Sequence, residues 1–434
     1  MSAVSLREET VELLQRLLRL NTVNPPGNET IAAECLRDYL AASGVEAQLL
    51  ARTPERANLV ARLPGGDGPS LAFLCHTDTV IADASEWQRD PWSGERVGDE
   101  VWGRGALDMK NQVAASAVAF ASLAREGFRP AGDILFIAAA DEEVGKAFGL
   151  EWLCEEHADA VRVDYALNEG GGERVELGGS PYYLCASAEK MTAPFTLRVR
   201  GRSGHASMPG IADNALVKAA GLIEALAAHR PEAEIGPEVA AFLDVVLGEQ
   251  PAPQHVLERL RSFDPLAADL IEPLLAFTLS PTMISASASR NVIPGTCEVT
   301  VDCRILPGRT PEDVEPVVRS ILGPVADDVE WELEWIERSG GTRSSLDTPL
   351  YRAIEDWVAA VEPEARVAPL TCSGFTDSHW LRAAFDTVAY GFFPMRTMDP
   401  ELAARLIHSA DERVHVDDLE LGVEFLRHAA RSLG

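Results

Sequence analysis

Apolar residues recur at helical spacing over residues 5–20 and again over 29–43, with Ser5 placed to cap the first run. The breaker cluster NTVNPPGNE separates the two. ANLVARL (57–63) and SLAFLCHTD (70–78) read as strands split by the turn PGGDGP. Residues 106–125 read as a long Ala-rich helix. DILFIAAA (133–140) is a continuous apolar run, as expected of a strand buried on both faces. A further short strand ends at 165–167. Strands alternating with helices predict an α/β sheet, mixed but mostly parallel and flanked by helices.

The pattern changes near residue 193. Residues 195–200 alternate as a strand and 214–228 read as a helix. A Pro- and acid-containing stretch follows over 231–280, with helical pattern in 254–277. Residues 282–291 and 297–305 then read as paired strands around IPGT. A helix over 311–322 and an alternating strand over 329–336 complete the set. Without the 231–280 stretch this is β-α-β-β-α-β, a ferredoxin-like α+β unit. The chain then returns to helix (348–361), strand (386–390) and a final helix (417–432). The expected organisation is a large α/β domain formed by 1–190 and 341–434. It is interrupted by a smaller domain at 191–340 that carries a helical insertion near 231–280.

The formal charge is −30, from 38 Lys and Arg against 68 Asp and Glu. That balance argues against nucleic acid as a partner, because phosphate binding needs clustered Lys and Arg. No apolar run approaches the ~20 residues of a membrane span, so no membrane partner is expected. The opening MSAVSLREET is polar and acidic, unlike a secretory signal. Seven cysteines, an odd number with no CxxC, suit reduced thiols in a cytoplasmic protein.

Five short runs could carry chemistry. Cys75-His76-Thr77-Asp78 follows a strand, where open α/β sheets place their sites. A carboxylate beside an imidazole can fix its tautomer for metal ligation; a capped strand end is the plainer explanation. GRGALDMK (103–110) places Asp108 near a helix start, where capping alone would account for it. Asp141-Glu142-Glu143 follows a buried strand, and adjacent carboxylates there need compensation that a divalent cation would provide. Asn168-Glu169-Gly170-Gly171-Gly172 offers another acid before a Gly-rich loop that matches no nucleotide cradle. His408 lies between an apolar stretch and an acidic loop, a setting common for a structural histidine. Together the runs offer two His and several carboxylates, but no Cys. Mixed His and carboxylate ligands suit catalytic zinc or a related divalent metal. Five ligands exceed one open zinc site and suit two metals about 3.5–4 Å apart sharing a carboxylate.

The order HTD, GRGALDMK, DEEVG, NEG and a late His resembles the di-zinc aminoacylase and carboxypeptidase family, which also holds acetylornithine deacetylase and succinyl-diaminopimelate desuccinylase. The resemblance covers almost the whole chain. It implies a metallohydrolase domain interrupted by a lid and dimerisation domain, with two divalent ions, zinc foremost and cobalt or manganese as alternatives. It implies that His76 and Glu169 hold one metal, Glu143 and His408 the other, and that Asp108 bridges them. Asp78 would orient His76. Glu142 would be the general base, taking a proton from metal-activated water and passing it to the leaving nitrogen. His205, in Gly204-His205-Ala206-Ser207, would reach the site of the partner subunit of a homodimer and stabilise the tetrahedral oxyanion. Asn291 and Arg304 would bind the substrate carboxylate, and Thr376 would contact substrate. Relatives often carry Gly where Phe375 stands, which implies a tighter or more apolar pocket. The other histidines, at 157, 229, 255, 379, 415 and 428, match no ligand position.

The function implied is hydrolysis of an amide bond next to a free carboxylate, in an N-acyl amino acid or short peptide. Alternatives within hydrolases are an aminopeptidase and a dedicated deacetylase or desuccinylase. Chain length and the insertion favour the aminoacylase and carboxypeptidase branch over the shorter biosynthetic deacylases. A catalytically inactive binding homologue should have lost Glu142 or a ligand, and none is missing. A di-metal phosphatase or nuclease would need Gly-Lys loops or basic patches that the chain lacks.

Overall fold

A computed structural model describes residues 5–145, 147–326, 328–336 and 340–433. The chain divides into two compact units, one of residues 1–187, 344–370 and 376–434, the other of 188–343 and 371–375. The junctions drawn from the sequence lay at 190/191 and 340/341; the short return of 371–375 to the second unit has no signature in the hydrophobic pattern.

The first unit is built on a nine-stranded sheet among the described residues. At its centre, Ile134–Ala139, Leu71–His76, Tyr165–Asn168 and Val388–Gly391 run parallel. Ala57–Leu63 and Ala47–Ala51 extend one edge antiparallel, and Ser180–Glu189 continues the other. Alternate residues of the central strands feed two cores. Leu71, Phe73, Cys75, Ile134, Phe136 and Ala138 face one cluster, whereas Ala72, Leu74, Leu135, Ile137 and Ala139 face another. This is why those strands read as unbroken apolar runs. The first cluster is closed by Leu6–Leu18, Lys110–Arg125 and Val416–Ser432, the second by Leu150–Glu156 and Ser378–Phe385. Ser5 caps the first helix by accepting from Glu8 N–H.

Two elements differ from the sequence reading. The Ala-rich helix begins at Lys110, not 106, with no side-chain cap. Residues 103–109 form a loop instead, so Asp108 is no capping residue. The strand placed at 282–291 runs over Thr278–Ser285. Its partner register is set against Thr296–Ile305 with an irregularity between Pro281 and Met283, so period-two alternation was blurred. The strands Ser180–Glu189 and Arg366–Cys372 and the helix Pro237–Val246 had escaped the pattern altogether.

In the second unit the strands stand in the order Thr278–Ser285, Thr296–Ile305, Phe195–Arg200, Glu330–Trp335, all antiparallel. With helices Ala215–Ala228 and Pro311–Ala326 between them in sequence, this is the split βαβ arrangement. Phe195, Leu197 and Val199 alternate with exposed or half-buried Thr196, Arg198 and Arg200, and pack with Ala219, Leu222, Val314 and Val318. The 231–280 stretch folds as Pro237–Val246, Val256–Phe263 and Pro265–Ile271.

Candidate metal centre

Three parallel strands end side by side in the first unit, and each delivers an acid or imidazole just past its carboxyl end. His76 is the last residue of Leu71–His76, in register with Ala139. Asp141, Glu142 and Glu143 follow Ile134–Ala139. Glu169 follows Tyr165–Asn168. Asp108 comes from the loop before Lys110–Arg125. His408 comes from the turn after Pro400–Leu406, at φ +60°.

Two donor groups result, His76 with Asp108 and Glu169, and Asp108 with Glu143 and His408; within each, the ligand atoms lie within 4.8 Å of one another. His76 Nε2 is 3.1 Å from Asp108 Oδ1 and 3.6 Å from Glu169 Oε2. His408 Nε2 is 3.0 Å from Asp108 Oδ2 and 3.1 Å from Glu143 Oε2. The two oxygens of Asp108 therefore serve different groups, as a bridging carboxylate must. Ligands about 2.1 Å from one ion at tetrahedral angles sit about 3.4 Å apart, so the spacing fits a divalent cation in each group. Glu143 Oε1 is buried with no hydrogen-bond partner, a further sign of a donor suited to a cation.

Electrostatics agree with that fit. Burial opposes charge on His76, but Glu169, Asp108 and Asp78 outweigh it and hold the imidazole well above its ordinary pKa. Hydrogen bonds donated to the Asp108 and Glu143 carboxylates lift His408 to about 10. Burial pushes Glu169 up to about 6 against the pull of His76. Burial also works against charge on Asp108, yet His408 and His76 hold it well below the usual carboxylate range. Burial and then repulsion from Glu169 raise Glu142 well above it. A cluster in which carboxylates outnumber cations is complementary to added positive charge.

Glu142 belongs to neither group, its Oε2 lying 4.0 Å from His76 Nε2. Asp78 sits behind His76: its backbone oxygen is 3.2 Å and its Oδ1 3.5 Å from His76 Nδ1. Its carboxylate also accepts from Glu142 N–H, Glu143 N–H and Asn24 Nδ2. The sequence reading passed over the residues that hold these loops. Asn24, buried in the breaker cluster, donates to both Asp78 and Asp141. Arg56 donates to Asp141 and to Glu29, at 2.8 and 2.6 Å, all three side chains being buried. Asp141, at φ +64°, thereby anchors the acid turn. Glu412 accepts from Arg104 and from backbone N–H groups of the Asp108 loop. Gly105 (φ +91°) leaves no room for a Cβ, which would meet Thr79 Cγ2 at 2.9 Å. Asn24 and Glu29 stood in the breaker cluster, Arg104 and Gly105 in GRGALDMK, Asp141 in the acid run and Glu412 in the acidic loop after His408, none of them singled out for holding the loops; nothing local marks Arg56. Asp377 is also buried, its Oδ2 without a partner and its pKa raised well above the ordinary value by burial.

Thr376 is buried in this unit, its carbonyl accepting from His379 N–H. His205, Asn291 and Arg304 lie in the second unit. His205 is exposed on a two-residue strand paired with Val292–Ile293, its Nδ1 2.7 Å from Ser207 Oγ. Asn291 Oδ1 accepts from Ser289 Oγ. Arg304 donates to both oxygens of Asp302 and to Thr192 Oγ1. His415 caps the helix Val416–Ser432; it is no ligand in either group.

The family model described as Peptidase family M20/M25/M40 matches residues 72–432. The chain is 29% identical over 424 residues to a succinyl-diaminopimelate desuccinylase of Cereibacter sphaeroides, covering 95% of each. It is 28% identical to the human N-fatty-acyl-amino acid synthase/hydrolase PM20D1, over 83% of this chain and 74% of that one. The crystal structure of an M20 family metallo-carboxypeptidase, Sso-CP2 from Sulfolobus solfataricus, superposes with a TM-score of 0.75 at 17% identity, covering 98% of this chain and 99% of that one.

Proposed function

Because the chain belongs to peptidase family M20/M25/M40, whose members hydrolyse amide bonds with the help of metal, we propose that it cleaves an amide next to a free carboxylate, in an N-acyl amino acid or a short peptide. The observation that carries this reading is Asp108, whose two oxygens each complete a separate His and carboxylate group, with Glu142 alongside but in neither. When bound, two divalent ions, zinc foremost with cobalt or manganese as alternatives, would polarise the scissile carbonyl and lower the pKa of attacking water. His76, Asp108 and Glu169 would hold one ion and Asp108, Glu143 and His408 the other. Glu142 would take the proton of the attacking water and deliver it to the leaving nitrogen. Its raised proton affinity suits a group that must hold that proton between the two transfers. Asp78, hydrogen-bonded from two backbone N–H groups of the acid turn, would keep His76 and Glu142 in mutual register.

The relatives' names support the substrate class, since a desuccinylase of diaminopimelate, an N-fatty-acyl-amino acid hydrolase and a carboxypeptidase all act where an amino acid joins an amide. Chain length does not separate the branches, because the desuccinylase matches along 95% of both chains. Asn291 and Arg304 would meet the substrate carboxylate, Arg304 being aimed by Asp302. Thr376 would contact substrate. His205, exposed in the second unit, would serve the site of a second copy in a homodimer. The seven cysteines are free thiols, which suits a cytoplasmic setting. No helix among the described residues is long and apolar enough to cross a membrane.

The test is a panel of N-acyl amino acids, N-succinyl amino acids and dipeptides, assayed after chelation and again with Zn²⁺, Co²⁺ or Mn²⁺. We expect loss on chelation and recovery with metal. Unchanged turnover after chelation would remove the metal chemistry. Turnover confined to N-succinyl substrates would identify a dedicated desuccinylase, and a strict need for a free substrate amine an aminopeptidase. Silence on the whole panel with every metal would overturn the substrate class.

A further inference from the structure

We propose that Glu412 is a positioning residue that sets the bridging carboxylate Asp108 relative to His408; the proposal rests on the metal-centre reading above. Glu412 is fully buried. Its Oε1 accepts from Leu107 N–H at 2.7 Å and Asp108 N–H at 3.0 Å. Its Oε2 accepts from Gly105 N–H at 3.0 Å and Arg104 Nη1 at 2.6 Å. Its backbone carbonyl accepts from Gly103 N–H at 3.0 Å. One side chain and its peptide thus hold the loop from Gly103 to Asp108.

The same residue stands four positions after His408. It directly precedes the strand Arg413–His415, which pairs with Glu100–Trp102 just before that loop. The turn between is tight, with His408 and Asp411 both at positive φ. Glu412 therefore joins two chain segments some 300 residues apart in sequence, at the point where each contributes a ligand to the same group. A buried carboxylate is costly to keep without donors. Here three N–H groups and a guanidinium satisfy it, and charge-assisted bonds of this kind hold geometry better than neutral ones. Arg104 is itself pinned, 5.3 Å over the Trp87 ring. The Asp108 backbone cannot move without disturbing its own N–H bond to Glu412, which fixes the point from which its carboxylate is presented.

Glu412→Gln keeps shape but turns one acceptor into an NH₂ donor, so Gly105 N–H and Arg104, or Leu107 and Asp108 N–H, face a donor instead. Residues that orient ligands in this way are worth about 10–100-fold in metal affinity. The experiment titrates the metal-stripped full-length protein with Co²⁺, following the visible absorption of the bound ion and its stoichiometry, in wild type and Glu412→Gln. We expect affinity to fall about 10–100-fold and the absorption bands at saturation to change shape, in a protein that retains native circular dichroism. A wild-type isotherm and spectrum in folded Glu412→Gln would overturn the proposal. If that variant does not fold, Arg104→Lys, which loosens the carboxylate's side-chain donor, should show the same change to a smaller degree, and a wild-type spectrum there would overturn it. Failure of wild type itself to bind Co²⁺ would instead sink the metal-centre reading, so the two failures are distinguishable.

Discussion

Glu142 and Glu143 are adjacent in sequence and opposite in circumstance. Glu143 meets His408 at 3.1 Å, whereas Glu142 lies at the edge of His76 and is raised by burial and by Glu169. Successive side chains on an extended or turning backbone point apart, so one residue can ligate while its neighbour moves a proton. Glu142→Gln should lower kcat about 10²–10⁴-fold, the usual worth of a general base, and leave bound metal at the wild-type level. Measuring kcat together with metal content separates this from the loss of a ligand. Metal falling with activity would place Glu142 among the ligands instead.

At the scale of elements, Lys190 shows how the helical insertion is fastened to the second unit. It is almost fully buried, and its Nζ donates to Pro273 and Ala276 carbonyls at 2.8 Å each. A neutral amine has two N–H bonds for these two acceptors. Burial disfavours the ammonium and lowers the pKa to about 8. An unfolded lysine keeps its proton to about 10.4. Between those values the unfolded chain binds more protons than the folded one, so stability rises with pH across that window and the burial penalty is greatest below it. Urea unfolding at pH 7.5 and pH 10 should show this gain in wild type. Lys190→Met should reduce the gain, leaving the part due to buried Lys110, whose pKa burial lowers to about 7, and, with two carbonyls left without their donor, be less stable by about 1–3 kcal/mol. An unchanged slope in the variant would exclude the assignment.

For the whole molecule, the −30 charge is both a solvated surface and a local device. Surface pairs such as Arg198 with Glu298 and Arg259 with Glu249 add little. A few acids, buried at strand ends, are complementary to two divalent ions. The second unit also presents apolar groups to solvent, with Val217 68%, Met283 69% and Ile284 51% exposed. Met283 and Ile284 lie on Thr278–Ser285, an outer strand of its sheet and an open edge for pairing. These features support the proposed homodimer. Sedimentation velocity should find a dimer in wild type and a monomer in Met283→Glu with Val217→Glu. A wild-type monomer with full activity would remove the role of His205 toward a second copy.

The hydrophobic pattern was enough to mark the central strands and both helices of the second unit. Leu71–His76 and Ile134–Ala139 are buried along their whole length, as short apolar runs in a covered parallel sheet are. Acids and an imidazole at strand ends likewise marked His76, Glu142, Glu143 and Glu169, because such groups are costly there without a purpose, whereas Asp108 and His408, on a loop and a turn, were marked by the order of motifs that resembles the family. Tertiary structure decided what pattern cannot carry. Irregular pairing shifted the strand at Thr278–Ser285, and a loop took the place of the helix start before Lys110. Arg56 reaches Asp141 and Glu412 reaches Asp108 across 85 and 304 residues of chain. Such contacts depend on which loops the sheet brings together, and neither periodicity nor local spacing encodes that.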